Sequence, residues 1–298
     1  MNYIVSVPFD EKLAEFIGKK SSEDGLVFYN RKLDNDVIVA VMPANREDKV
    51  YYSIAESMLI AAQIIISTAS VDRQLGEAVV AASLLDRRII ITNDSDISKM
   101  VGGVIKNFVI CGKDEVLSRI VEYGKASEGS TRIDIDKAFP VKGIGTVLLG
   151  IVTRGTVKVH DTLYHSSGKQ VMIKSIQSQD VDVEEAGYGT RVGLAVKGLE
   201  HDEVEKGDLL TVGQCNKANA ITAPLRLSAF AGERVEAGKR YVFVSNFSRT
   251  SCRIDDASSG RAMISFEKPV PIAAGDEFML VREESPRIFA AGTVSSVS

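Results

Sequence analysis

Residues Ala138–Leu210 read AFPVKGIGTVLLGIVTRGTVKVHDTLYHSSGKQVMIKSIQSQDVDVEEAGYGTRVGLAVKGLEHDEVEKGDLL. Short runs rich in Val, Ile and Leu are cut every few residues by Gly or Asp, with glycines at 143, 145, 150, 155, 168, 187, 189, 198 and 207. No window keeps a helical apolar period. Runs this short between turn residues predict an all-β barrel of about 80 residues over 132–212.

The texture continues downstream, with strand candidates at Leu225–Phe230, Arg240–Val244, Ala262–Phe266, Glu277–Arg282 and Ile288–Val294. Upstream it changes. Strand-like Tyr3–Val7, Leu26–Asn30, Val37–Met42, Ile64–Ser67, Arg88–Thr92 and Phe108–Cys111 alternate with helical patterns at Asp10–Lys20, Asp48–Ala62, Arg73–Asp86 and Lys113–Tyr123. Such alternation predicts a mostly parallel α/β sheet. The polar run Lys125–Thr131 (KASEGST) reads as a linker. The expected organisation is an α/β unit at 1–128, then barrels at 129–214 and 215–298.

The 298 residues are 45% hydrophobic and 26% charged, ordinary for a globular chain. The longest apolar runs fall far short of the roughly 20 residues of a membrane span. The opening MNYIVSVPFDEKL lacks signal-peptide features, so a cytoplasmic protein without a membrane partner is expected. Cys111, Cys215 and Cys252 are odd in number and scattered, suggesting neither a disulfide framework nor a metal knuckle. The net charge of −4 argues against a generic DNA or RNA coat. Residues 215–298 are nonetheless net basic, and eight of their eleven cations are Arg, the side chain best suited to phosphate. Scattered surface arginines and an RNA face both remain open.

The middle stretch resembles the second domain of the translational GTPases, the family of elongation factor Tu and the selenocysteine-specific elongation factor. The match runs through Phe139, Gly143-x-Gly145-Thr146-Val147, Gly150, Gly155, Asp161, Ile173–Ile176 and Glu185-Ala186. It continues with Arg191-Val192-Gly193-Leu194, Lys197-Gly198-Leu199 and Gly207-Asp208. Residues Phe266–Val294 are similar to the closing strands of the family's third domain, through Pro269, Gly275-Asp276, Phe278, Arg282 and Ala291–Val294. The resemblance implies an elongation factor Tu-like three-domain architecture whose barrels hold the acceptor arm of tRNA and dock on the ribosome. The chain ends at Ser298, so the extra C-terminal domain of some selenocysteine factors is not expected.

By position, residues 1–128 correspond to the family's GTP-binding domain, yet its motifs are degenerate. A P-loop needs G-x-x-x-x-G-K-[ST] between the first strand and helix. Here Pro8-Phe9-Asp10-Glu11-Lys12 follows the strand, and Gly18-Lys19-Lys20-Ser21 sits at a helix end with Lys20 in place of the hydroxyl residue. Asp10 and Glu11 at a helix N-terminus suit its dipole and would repel phosphate. The D-x-P-G-H position reads Val41-Met42-Pro43-Ala44-Asn45, and little room is left for the long first switch loop. The base-reading N-K-x-D reads Asn93-Asp94-Ser95-Asp96, and S-A-K reads Cys111-Gly112-Lys113. Asn93 and Asp96 either form an Asx turn or retain a vestigial, inactive nucleotide site. Phosphoryl transfer needs positioned Lys, Mg²⁺ and a nucleophile-orienting group, so a pseudo-GTPase without cofactor is expected.

His160, His165 and His201 lack metal-ligand spacing, and no hydrolase motif is present, so no catalytic residue is assigned. Asp136-Lys137-Ala138-Phe139 resembles the D-R-A-F entry of the selenocysteine factors, and Arg191 matches their second basic residue. The resemblance makes Asp136, Lys137, Phe139 and Arg191 candidates for an aminoacyl-tRNA pocket. Alternatively Phe139 is core and Lys137 and Arg191 are solvated barrel residues. Two functions follow: a translation-factor relative that binds tRNA or ribosome-associated RNA without GTP, or a protein-interaction scaffold with no RNA binding.

Overall fold

Ile-rich segments such as QIIIS and RIIIT have no alternation because both their faces are covered. They lie side by side in a seven-stranded sheet in the computed structural model, which describes residues 2–33, 36–44, 50–92, 103–122, 129–232, 235–258 and 260–298. The strands are β1 (Asn2–Ser6), β2 (Lys19–Asp24), β3 (Leu26–Leu33), β4 (Asp36–Pro43), β5 (Gln63–Ser67), β6 (Arg88–Thr92) and β7 (Phe108–Cys111). Their order is β2-β3-β4-β1-β5-β6-β7. β4, β1, β5, β6 and β7 run parallel, while β3 and β2 are antiparallel additions. The helices are α1 (Glu11–Ile17), α2 (Val50–Ile60), α3 (Arg73–Ser83) and α4 (Val116–Glu122).

The helical expectation for Asp10–Lys20 stops short. α1 ends at Ile17, and Lys19–Asp24 becomes the edge strand β2. Gly18 makes this reversal possible, since a Cβ there would lie 2.8 Å from the Asn30 backbone. The polar KKSSED has no apolar alternation to announce a strand, but two lysines and two acids suit an unpartnered sheet edge.

α1 and α4 cover one face of the sheet through Leu13, Ala14, Ile17, Val116 and Ile120. α2 and α3 cover the other, and their outer sides are themselves buried. Val244, Met279, Val281, Ile288 and Ala291 of the last barrel share one core with Ile54, Met58, Leu75 and Ala78. Beside the end of α2 the barrels complete the cover of β1, β3 and β4: Ile151 and Phe247, with Ile60, pack on Ile4, Leu26, Phe28, Val39 and Val41. Each such side chain contributes about 1.5–3 kcal/mol on full burial. The first sheet therefore cannot leave the barrels without exposing its own core.

The middle unit comprises β8 (Arg132–Val141), β9 (Gly145–Arg154), β10 (Thr156–Lys158), β11 (Thr162–His165), β12 (Gln170–Ser178), β13 (Val181–Val183), β14 (Glu185–Gly187), β15 (Arg191–Lys197) and β16 (Leu209–Thr211). Pairing in the order β11-β16-β8-β9-β15-β12, with β12 returning to β11, closes a six-stranded barrel. Gly189, at φ +78°, lets the turn before β15 touch the first sheet: a Cβ there would lie 2.8 Å from Asn2 Cβ. Asn2 Nδ2 in turn donates to Thr190 Oγ1 at 2.7 Å.

The last unit comprises β17 (Lys217–Leu227), β18 (Arg240–Ser245), β19 (Ser248–Asp256), β20 (Arg261–Pro271), β21 (Glu277–Val281), β22 (Ile288–Thr293) and β23 (Ser296–Val297). Its ring β20-β19-β18-β21-β22-β17 is closed by β17 on β20, around Phe243, Phe266 and Phe278. Two strand expectations change here. The strand expected at Leu225–Phe230 ends at Leu227, and Phe230 is exposed in a turn. β19 has no counterpart in the expectation because its inward positions are Ser248, Thr250, Cys252 and Ile254, only two of them apolar.

Candidate functional site

Open parallel sheets bind ligands beyond the carboxyl ends of their strands. There Asp10, the N-cap of α1, accepts the Leu13 N–H on Oδ1 at 2.8 Å and the Ser67 hydroxyl on Oδ2. A carboxylate thus takes the Leu13 N–H at the helix start, and a phosphate placed there would meet its charge. Phe9 just before it adopts φ +63°. The hydroxyls at the other strand ends are turned inward: Ser6 Oγ bonds Ser57 Oγ at 2.9 Å, and Thr68 Oγ1 donates to the Thr92 carbonyl at 2.8 Å. Val41 is buried against the barrels. Asn45, Asn93 and Asp96 lie outside the described residues.

The four pocket candidates part company. Asp136 is the extra residue of a β-bulge in β8, a device that re-aims a side chain. It faces the seam between the first sheet and the middle barrel. Arg191 of β15 donates through Nη2 to Asp136 Oδ2 at 2.8 Å, and its guanidinium carbon lies 3.8 Å from the Phe28 ring centroid. Lys137 is exposed and Phe139 half-buried. Arg191 is therefore not the solvated barrel residue of one reading, and Phe139 is not core.

Beside them, Lys206 Nζ lies 3.1 Å from Glu56 Oε2 and 3.9 Å from Asp136 Oδ1. Burial pushes the Glu56 carboxyl up, against the pull of Lys206. Sequence reasoning did not single out Phe28, Glu56 or Lys206. The available signal was one acid inside the apolar run SIAESMLI of α2.

A second buried cluster fastens the two barrels. Arg132 Nη1 donates to both oxygens of Asp276, at 2.7 and 2.6 Å, and Nε donates to Asp134 Oδ2 at 3.1 Å. Asn246 Nδ2 completes Asp134 at 2.7 Å. Burial alone would raise the Asp134 carboxyl, but the Arg132 charge and these hydrogen bonds hold it below the usual range. Asp208 is also burdened by burial, yet His165, Lys217 and further donors hold it well down.

A carboxyl lowered by folding contributes stability above its unfolded pKa and loses it as pH falls through the folded one. The part of the stability that Asp134 and Asp208 contribute should therefore hold down to about pH 4, the ordinary carboxylate range, and be lost steadily below it, while Glu56, shifted the other way, costs stability at neutral pH. Thermal melts between neutral pH and pH 2 check this.

Several arginines of the last unit are spent internally. Arg287 lies 4.3 Å over the Tyr51 ring and Arg249 lies 4.9 Å over Tyr52, clamping α2. Arg282 covers Phe289 and donates to the Ala231 carbonyl, and Arg253 pairs with Asp255. Arg226, Arg240 and Arg261 remain exposed.

An α/β sheet fused to two closed barrels defines a three-domain protein of elongation factor Tu-like architecture. Residues 145–211 match the family model for elongation factor Tu domain 2. In this part the chain is similar to the translational GTPases. It is 28% identical to an uncharacterised protein of Methanocaldococcus jannaschii over 284 residues, covering 91% of this chain and 92% of that one. It is 41% identical to the selenocysteine-specific elongation factor of the same organism over 81 residues, 27% of this chain and 17% of that factor. The Haemophilus influenzae factor is 27% identical over 56% of this chain and 28% of its own length. Against these named factors the chain thus matches under a third of their length. The translation elongation factor SelB of Methanococcus maripaludis, solved with the GTP analogue GppNHp, superposes with a TM-score of 0.79 at 18% identity, over the whole of this chain and 80% of that one. No helix among the described residues is long and apolar enough to cross a membrane.

Proposed function

We propose that this chain is a translation-factor relative that binds tRNA or ribosome-associated RNA without a nucleotide switch. Its units are taken as 1–128, 129–214 and 215–298. The observation that carries the reading is Asp10: its carboxylate caps α1 and holds Ser67, so a negative charge already stands where a phosphate would sit. The shared core between α2, α3 and the last barrel supports the same reading, because it fixes the arrangement that a nucleotide would otherwise select.

In this reading the exposed Lys137 and the half-buried Phe139 lie on the strand that also carries Asp136, the partner of Arg191. Asn93 and Asp96 are vestiges in this reading, and no Mg²⁺ or GTP takes part. The scaffold alternative draws on one observation, an apolar groove bordered by the exposed Val71 and Phe230.

Thermal unfolding with GTP or GDP and Mg²⁺ tests the nucleotide half. A ligand at about a thousand times its Kd stabilises by about 4 kcal/mol. We expect no shift at millimolar nucleotide. A Mg²⁺-dependent rise overturns the proposal.

A further inference from the structure

The three sheets meet around a cavity of about 320 Å³ at the amino ends of β5 and β6, away from both the strand carboxyl ends and the Arg191 seam. Ligand pockets favour such domain junctions, and this volume lies at the small end of their range. Its charges divide by wall. Arg87 is closed by Glu277 and by the Ala61 carbonyl, to which its Nε donates at 2.8 Å. Arg132 is closed by Asp134 and Asp276.

Arg154 is different: its side chain is 44% exposed and its nearest carboxylate, on Asp276, is 3.8 Å away. Beside it on the middle barrel stands Tyr188, whose hydroxyl makes no hydrogen bond among the described residues. On the facing wall the exposed Asp86 lies beside the end of α2, where Arg87 is already spent on the Ala61 carbonyl and Glu277. A simple anion would meet Asp86 and Asp276, and a simple cation would meet three arginines. A molecule with both charges and a short apolar body satisfies both walls.

We infer that this junction binds a compact dipolar ion, an aliphatic α-amino acid, with its carboxylate on Arg154 and Tyr188 and its ammonium toward Asp86. The ligand touches all three sheets and so braces their arrangement. The inference stands apart from the RNA reading.

The test uses the full chain, with L-leucine as probe in calorimetric titration and thermal unfolding. N-acetyl-leucine, which lacks the cation, and leucinamide, which lacks the anion, serve as comparisons. Leucine should bind saturably at millimolar concentration. Each analogue should bind about tenfold more weakly or worse, the scale of one lost charge-assisted hydrogen bond. Arg154→Ala and Tyr188→Phe should each weaken leucine by a similar factor while the unliganded melting point changes little. If Arg154→Ala does not fold, Tyr188→Phe alone decides. Absence of saturable leucine binding, equal binding of either analogue, or unchanged affinity in the variants overturns the assignment.

Discussion

Arg132→Met is expected to destabilise the protein by about 3–5 kcal/mol, the cost of stranding a buried partner charge. At about 2–4 °C per kcal/mol for a chain approaching this size, the melting point should fall by roughly 10 °C. The side chain is 7% exposed, and its two carboxylate partners are buried at 2% and 6%. Methionine fills similar space but leaves Asp134 with only hydroxyl and amide donors, and Asp276 with the distant Arg154. Without the Arg132 charge, burial would push the Asp134 carboxyl up. A carboxyl so raised stabilises the fold as pH drops through the raised value, so the deficit should shrink between pH 7 and pH 5. A melting point within a degree or so of wild type at pH 7 would show that the cluster is incidental, on the scale of an exposed pair.

Phe28→Ala has the second large effect, about 3–5 kcal/mol for emptying a fully buried aromatic site. The ring is 1% exposed and belongs to the core shared by β1, β3, β4, Ile151 and Phe247. It is also the platform under Arg191. Phe28→Leu should recover most of the stability but not the cation–π contact, worth about 0.5–2 kcal/mol. Denaturant unfolding of both variants separates the two contributions. A loss below 1 kcal/mol for Phe28→Ala would mean that the first sheet is not fused to the barrels as described.

The sequence reading succeeded where pattern and local chemistry agree. Glycine-punctuated apolar runs marked the middle barrel, and Asp10 before an apolar helical period marked the N-cap of α1, which the hydrogen bond to Leu13 makes explicit. It missed β2 and β19, where polar residues alternate without a hydrophobic signal and pairing is decided by neighbours. The candidate pocket was half legible. Arg191 and Asp136 do meet, but no local pattern announces that Phe28, 163 positions earlier in the chain, lies beneath the guanidinium. Arg132 was silent for the same reason. Its partner Asp276 is 144 residues away, and an isolated Arg at a strand start looks like any surface cation.

Binding of aminoacylated tRNA, titrated at low and physiological salt with no nucleotide, with GTP and with GDP, tests the central claim most directly. The account predicts salt-dependent binding, tighter for charged than for deacylated tRNA, with one affinity in all three nucleotide conditions. Affinity that rises with GTP and collapses with GDP would contradict it, as would no binding in any condition.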